Sequence, residues 1–532
     1  MQRHNLPPKN IEINTHFQKA LHLMEGTGKN IFVTGRAGTG KSTLLDYFRS
    51  ITKKQIVVLA PTGVAAVNVS GQTIHSFFRF KPDVTVEGVR EKAKKKKRNK
   101  LYKKLDAIVI DEISMVRADL LDCVDEFLRI NGKVAGVPFG GIQMILIGDL
   151  YQIPPVVVGQ EREIFKNHYK SEYFFDANAV ENIELEYVEL EKIYRQSDAL
   201  FITLLNGIRN KTISDEEIEL INNRCFNDES ELPGNFIYLT TTNAMADERN
   251  DAELAKLPGK PHTFPAEIMG KFDQKYFPTE QLLKLKKDTQ VMLLNNDPAG
   301  RWINGTIGSV HKIKDESVSV RIADGNIEEI KPFTWEINRF FWNTETLTVN
   351  SEAIGTFKQY PIKIAWAITI HKSQGKTFDN AVIDIGRGTF TSGQLYVALS
   401  RCRSLDGIFL KKWIKRSNIW TDWRIVKFTT EYQYELSEKQ LPVDAKIELI
   451  DKAISSNSLL GITYLKPKNE KSRRIIRPEN VGEMEYKGRK YLGVWAYCLK
   501  QQDYRSFRVD RILKVEEVSS QELPSQATSI VE

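Results

Sequence analysis

A chain of 532 residues, 41% hydrophobic and 27% charged, has the composition of an ordinary soluble globular protein with three or four folding units. No run of 18 apolar residues occurs, so no membrane span is expected, and the polar N-terminal stretch lacks a signal-peptide core. Cys123, Cys225, Cys402 and Cys498 lie far apart without metal-ligand spacing, which predicts reduced thiols and a cytoplasmic location. The net charge of +8 is unevenly spread: residues 92–104 hold nine Lys/Arg and no acid. That run is either a surface for a polyanion or a solvated basic face.

In chain order, Ile13 to Glu25 has helical periodicity, with Phe17, Ala20, Leu21 and Met24 on one side. Gln18 in this helix is either an amide that reads an adenine edge or a surface residue. The apolar run Ile31-Phe32-Val33 then leads into Gly35-Arg36-Ala37-Gly38-Thr39-Gly40-Lys41-Ser42, followed by the helical Leu44 to Phe48. Strand, Gly-rich loop and helix are the context of a phosphate-binding loop. The backbone N–H groups of Gly35, Ala37, Gly38, Thr39 and Gly40 would surround phosphate oxygens, helped by the helix N-terminus at Ser42 and Thr43. Lys41 would reach the β- and γ-phosphates and the Ser42 hydroxyl would ligate Mg²⁺, so ATP and Mg²⁺ are the expected cofactors.

Ile56 to Ala60 reads as a buried parallel strand. It ends at Pro61-Thr62-Gly63-Val64, where an open α/β sheet binds ligands. Thr62, Gly63 and Val64, together with His75 and Phe77 in the following segment, suit single-stranded nucleic acid: hydroxyls bond phosphates and aromatics stack on bases. The alternative for Phe77 and Phe78 is core packing. The basic run then interrupts the α/β rhythm. Ala107 to Ile110 is a strand ending in Asp111-Glu112, the second half of an ATPase site, with Asp111 toward Mg²⁺ and Glu112 toward the attacking water. Met144 to Ile147 is a third strand, and Gln152 beyond it is placed to sense the γ-phosphate.

In the second half, Ile183 to Leu190 is a predicted strand and Leu200 to Cys225 largely helix. Phe236 to Asn243 is a strand whose Thr242 and Asn243 either touch phosphates or cap the next helix. From Gly308 to Tyr360 apolar and polar residues alternate, with a hairpin turn at Asp324-Gly325. Lys363 to Ile370 is apolar and parallel-strand-like, and the loop after it would face both strand and nucleotide, with His371, Ser373 and Thr377 expected against DNA and Gly375 against the nucleotide. A polar linker is expected at 429–445. Residues 446–518 follow as short strands behind a leading helix, the pattern of a small β-barrel. Arginines interleaved with Tyr, Trp and Phe there read as a nucleic-acid surface. Residues 519–532 are polar and Ser/Gln-rich, as in a disordered tail.

These motifs carry a family resemblance. Gly35–Ser42, Ala60–Ala66, Ile110–Met115 and Gly148–Pro155 resemble the first four motifs of superfamily 1B helicases of the Pif type (named for petite integration frequency), with RecD-like enzymes as relatives. Leu190–Gln196, Gly305–Gly308, Ala365–Phe378 and Tyr396–Arg401 resemble the later ones. The resemblance spans about residues 10–428. It implies two tandem RecA-like α/β motor domains, at 1–180 and 181–428. The first would carry the basic insertion at about 80–104 and the second an SH3-like β insertion at about 308–360. It also implies that Arg195 and Arg401 reach ATP from the second domain, and that the protein acts as a monomeric, ATP-dependent 5′-to-3′ DNA helicase. Such an enzyme would move on single-stranded DNA, open duplex at ss/ds junctions, and in some family members unfold G-quadruplexes. A DNA-stimulated ATPase switch that recruits partners without separating strands is the alternative, and a regulator with a vestigial motor is a third. Residues 446–518 resemble WYL domains, although Lys490 replaces the Trp of the name-giving triplet. This implies a bacterial, nucleoid-associated protein whose Arg473, Arg474, Arg505, Arg508 and Arg511 hold single-stranded DNA or another anionic ligand, or regulate the motor.

Overall fold

The computed structural model describes residues 12–518 except 82, 96–99, 158–164, 166, 197, 234–235, 315–316, 323–324, 347, 467–469 and 487. Part of the basic run and the expected tail at 519–532 therefore lie outside the described residues.

The first half is a parallel sheet of six strands: β1 (Asn30–Gly35), β2 (Ile56–Ala60), β3 (Gln72–Thr73), β4 (Ala107–Ile110), β5 (Gln143–Ile147) and β6 (Leu185–Leu190), in the order β3-β2-β4-β5-β1-β6. The strands covered on both faces need no polar side, which is why β1, β2, β4 and β5 read as continuous apolar runs. Ile31, Phe32, Val33 and the whole of β4 are fully buried. Helix α1 (Thr15–Gly26) lays Phe17, Ala20, Leu23 and Met24 on this sheet, and α2 (Lys41–Ile51) adds Leu44, Leu45 and Phe48. The expected domain boundary at 180 is too early. β6 pairs with β1 along its full length, from Asn30↔Leu185 to Gly35↔Leu190, so the first sheet runs to Leu190.

The second sheet is also parallel: Ala367–Thr369, Ile237–Thr240, Ala381–Asp384 and Ile408–Leu410, in that spatial order. Antiparallel structure fills the sequence between its first and second strands. A five-stranded sheet joins Gln290–Leu293, Ile307–Ile313, Val318–Ile322, Ile327–Ile330 and Ile362–Ile364. A long hairpin, Phe333–Asn343 with Thr348–Gln359, pairs with Glu267–Gly270. The end of that hairpin reaches the first half. Val349 N donates to Gln55 Oε1 at 2.7 Å, the Lys104 ammonium lies 5.3 Å over the Trp342 ring, and Phe340 meets Phe77 edge-on at 6.2 Å.

The chain forms two compact units, the second beginning at Thr421. The stretch expected as a linker is helical instead: Trp423–Gln440 and Val443–Ser455 are helices. Its polar residues are the solvent side of an amphipathic pattern whose buried positions are Ile425, Thr429, Gln433 and Ser437. The second unit continues as a five-stranded antiparallel sheet, Asp503–Arg508, Arg489–Cys498, Glu470–Tyr486, Leu460–Lys466 and Ile512–Glu517 in spatial order. Its core joins Ile450 and Ala453 of the preceding helix to Ile462, Ile476, Val494, Ala496 and Phe507. Among the described residues no helix is long and apolar enough to cross a membrane.

Candidate functional site

The Gly-rich loop turns between β1 and α2 with Gly38 and Gly40 at φ +81° and +86°, a region closed to most side chains. Space is equally restrictive. A Cβ on Gly35 would lie 2.5 Å from Thr39 Oγ1, and one on Gly38 2.5 Å from the Arg195 Cβ. The Lys41 ammonium folds back and donates to Gly35 O at 2.7 Å and Arg36 O at 3.0 Å. Tyr194 N donates to Gly38 O at 2.8 Å, and Ala37 N donates to the Tyr396 hydroxyl at 3.0 Å. The loop is thus gripped by segments far along the chain.

A cavity of about 400 Å³ opens here. One wall is Ala37–Thr43 with Glu112 and Gln152; the other is Tyr194, Arg195, Gly375, Thr377, Arg401 and Arg403. The structure therefore brings Lys41, Ser42, Glu112, Gln152, Arg195 and Arg401 to one cavity, as the sequence reading expects. Asp111, buried at the end of β4, faces the same charges. Gln18 is exposed on α1 and is not among the lining residues. Thr377, expected against DNA, lines this cavity instead.

Sequence reasoning did not single out Tyr194, Arg403 or Arg209. Tyr194 and Arg403 neighbour predicted residues, a local signal that was available. Arg209 had no signal. It lies in the helix Ala199–Asn210, buried over the Tyr151 ring at 3.7 Å and 3.7 Å from Asp149. Asp149 in turn accepts from Gln152 Nε2 at 3.2 Å. Gln152 meets Gln374 from the other wall at 3.5 Å.

Burial pushes the Lys41, Arg195 and Arg401 pKa values down, and for Arg401 the neighbouring Arg195 pushes the same way. Three cations crowded in low dielectric create a demand for an anion. On the carboxylate side, burial and then Glu112 push Asp111 up to about 7, and burial raises Glu112. Ionising Asp111 at this buried position beside Glu112 is a cost to the fold. Because its folded pKa lies above its unfolded value, the stability it contributes falls as pH rises from about 4 to about 7. Asp111→Asn is accordingly expected to raise the melting temperature of ligand-free protein at pH 7.5 by about 2–4 °C while hydrolysis is lost. An unchanged or lower midpoint would refute the burial argument.

The residues fit a Mg²⁺-nucleotide. A hydroxyl and a carboxylate are hard oxygen donors, and Mg²⁺ takes few protein ligands alongside phosphates and water. No group of three or more His, Cys, Asp or Glu that could hold a metal occurs among the described residues.

Two further grooves of about 730 and 670 Å³ run between the β2–β3 region and the antiparallel insertion. Thr62, Gly63, His75 and Arg79 line the first, opposite Lys271 and Tyr276. Gly63 is required there, since a Cβ would fall 2.1 Å from the Tyr276 ring. Val64 is exposed beside it. Thr62 also caps its helix, accepting from Ala65 N at 3.2 Å, and Thr242 accepts from Met245 N at 3.4 Å. Thr242 and Asn243 remain exposed at the carboxyl edge of the second sheet. His371 stands at that edge too, stacked on Phe390 with ring centres 6.1 Å apart. Burial lowers its pKa, which favours the neutral ring.

Besides Thr377, two expected nucleic-acid contacts are corrected. Phe77 forms part of the wall of the second groove but is buried among Phe78, Tyr102 and Phe340, so it packs rather than offering a free face. Ser373 is fully buried: its hydroxyl donates to Ile370 O at 2.7 Å and its carbonyl accepts from Arg401 at 3.3 Å. In the C-terminal sheet the five arginines do not form one cluster. Arg474 pairs in register with the buried Ile462, and Arg505 shares the side of the buried Phe507. Arg473 and Arg508 point to the opposite face, where Arg473 lies 3.7 Å from Glu516 and Arg508 holds Asp510 at 2.6 Å. Arg511 sits in the short turn between the last two strands.

A family model described as "PIF1-like helicase" matches residues 11–219, and one described as "WYL domain" matches residues 445–517. The chain is 31% identical over 437 residues to the ATP-dependent DNA helicase Pif1 of Bdellovibrio bacteriovorus, covering 80% of this chain and 94% of that one. Its structure is similar to that of Bacteroides sp Pif1 in complex with ADP-AlF4, at TM-score 0.73 and 36% identity over 80% of this chain and 98% of that one. It is also similar to Bacteroides Pif1 bound to ssDNA, at TM-score 0.57 and 35% identity, with the same coverage. The chain belongs to the PIF1-like helicase family, and its enzymatic class is that of an ATP-dependent DNA helicase.

Proposed function

We propose that the protein translocates 5′ to 3′ on single-stranded DNA and opens the duplex at ss/ds junctions, acting as a monomer. The observation that carries the reading is the cavity built from both halves, with Lys41 on one wall and Arg195 and Arg401 on the other. Nucleotide bound between the walls draws them together, and its loss lets them part. Ala37–Thr43 and Gly375 hold the phosphates, Lys41 and the two arginines balance charge that grows on the γ-phosphate, and Glu112 orients the attacking water. When bound, Mg²⁺ would be held by Ser42 and Asp111, and it supplies further neutralisation of the phosphates.

Movement follows from what adjoins the cavity. Gln152, bonded to Asp149, meets Gln374 across the cleft, and Gln374 N donates to His371 O at 3.2 Å. A change at the γ-phosphate thus reaches His371 within one turn of chain. Thr62, Gly63, Val64 and His75 grip the strand from the first half; Thr242, Asn243 and His371 grip it from the second. Closing the cavity shifts one grip along the strand relative to the other. The basic run 92–104 adds phosphate contacts and with them a steep salt dependence. The WYL domain binds single-stranded DNA as a tether.

Strand opening on duplexes bearing a 5′ or a 3′ single-stranded tail tests the reading. Opening of the 5′-tailed duplex alone is expected. Opening of the 3′-tailed one alone would overturn the polarity, and hydrolysis without opening of either would favour an ATPase switch.

A further inference from the structure

The arginines of the C-terminal sheet do not form a pocket, but its outward face carries something else. Register places Tyr491, Gly493, Trp495 and Tyr497 on one side of the strand Arg489–Cys498, opposite Tyr504, Ser506 and Arg508 of the edge strand. Trp495 and Tyr504 are stacked nearly parallel, with ring centres 5.9 Å apart and planes 8° from coincidence. Tyr497 meets Tyr504 edge-on at 5.2 Å, and the Arg477 guanidinium lies 5.8 Å over Tyr497. The Tyr504 hydroxyl donates to Glu479 at 2.7 Å, which fixes the ring. The opposite side of the same strands is the buried core, with Val494 and Ala496 at 0%. Trp495 and Tyr504 nevertheless remain 42% and 39% exposed.

A contiguous cluster of outward-facing rings, Trp495, Tyr504 and Tyr497, is the kind of exposed surface that marks an interaction site. Charge selects the occupant. Residues 446–517 contain 16 basic and 10 acidic side chains, so most of the net +8 of the chain resides in this one domain. Flat rings among guanidinium groups suit a partner that is itself flat and polyanionic: bases stack while Arg473, Arg477 and Arg508 take the backbone. Stacking on one face of a sheet requires bases that are already unpaired.

We propose that the Trp495–Tyr504 face is a stacking site for single-stranded DNA, separate from the motor grooves. This deepens the reading above, on which it rests, that the WYL domain binds single-stranded DNA as a tether. The site gives the enzyme a second hold on one strand, and two linked sites raise affinity through effective concentration.

The test uses the full chain and fluorescent oligothymidylates of about 10 and about 40 nucleotides, the shorter able to fill only one site. Wild type should bind the longer at least about tenfold more tightly. Trp495→Ala with Tyr504→Ala should lose most of that gain, while keeping wild-type affinity for the short oligonucleotide and wild-type hydrolysis. Trp495→Phe should restore the gain. Bromodeoxyuridine in the longer strand should crosslink to Trp495 or Tyr504, located by mass spectrometry. A double variant that keeps the full gain overturns the site. No length gain in wild type overturns the tether itself, and strand opening on tailed duplexes judges the motor separately. If the double variant melts early, Arg477→Gln decides: an undiminished gain overturns the proposal.

Discussion

Lys41→Ala is expected to lower DNA-stimulated ATP hydrolysis by at least about 10³-fold and to abolish strand opening. The ammonium is half-buried at the mouth of α2 and donates to the carbonyls of Gly35 and Arg36. Burial works against its charge; Asp149, Glu112 and Asp111 work for it. A triphosphate brings far more negative charge than these carboxylates, so the ammonium exchanges two neutral acceptors for phosphate oxygens at little reorganisation cost. Alanine removes the charge and the ammonium's two hydrogen bonds to the loop carbonyls. Nucleotide affinity should fall together with kcat, since the same contact serves the ground and transition states. Steady-state hydrolysis with saturating single-stranded DNA, paired with binding of a fluorescent ADP, checks both. Hydrolysis within tenfold of wild type would show that the loop is not the catalytic centre.

How much of this was legible follows from the range of each interaction. The loop, Asp111-Glu112 and Gln152 stand at the ends of continuous apolar runs, and a local pattern suffices for each. Arg195 and Arg401 are different. They reach Gly38 and Glu112 only because the second half folds back over the first, and no periodicity reports that; the family resemblance did. β6 misled because the chain order places it beside Arg195, whereas hydrogen bonding places it beside β1. Residues 429–445 read as linker because a helix with one narrow buried stripe, Thr429, Gln433 and Ser437, looks polar throughout. Phe77 shows the limit of counting aromatics. Whether a ring faces a groove or a core depended on Phe340, contributed by a hairpin some 260 residues later. The Trp495–Tyr504 pair depends on the same kind of information, since only the antiparallel register reveals that the two rings meet.

Arg401→Lys is expected to reduce kcat by about 10³-fold while ADP affinity stays within about threefold. The side chain is fully buried, yet it lines the cavity. Nε donates to Val397 O at 2.8 Å, Nη1 to Ser373 O at 3.3 Å, and Nη2 to Ser400 Oγ at 2.9 Å. The guanidinium thus ties the His371–Thr377 loop to the helix Gln394–Leu399 while lining the cavity. Lysine keeps the charge but offers no planar fork, so it can serve the loop or the nucleotide, not both. A purely structural role makes a separate forecast. Losing the guanidinium's hydrogen bonds to Val397 O, Ser373 O and Ser400 Oγ would destabilise the fold by about 0.5–1.5 kcal/mol each, lowering the melting temperature, and ADP affinity would fall in step with kcat. Transition-state charge balance predicts instead that kcat falls much further than either. Measured side by side with Arg195→Lys, whose Nη1 donates only to Ser400 O at 3.2 Å, the split assigns the roles. If Arg401→Lys hydrolyses ATP within tenfold of wild type, Arg195 is the residue that meets the γ-phosphate and Arg401 only positions the loop.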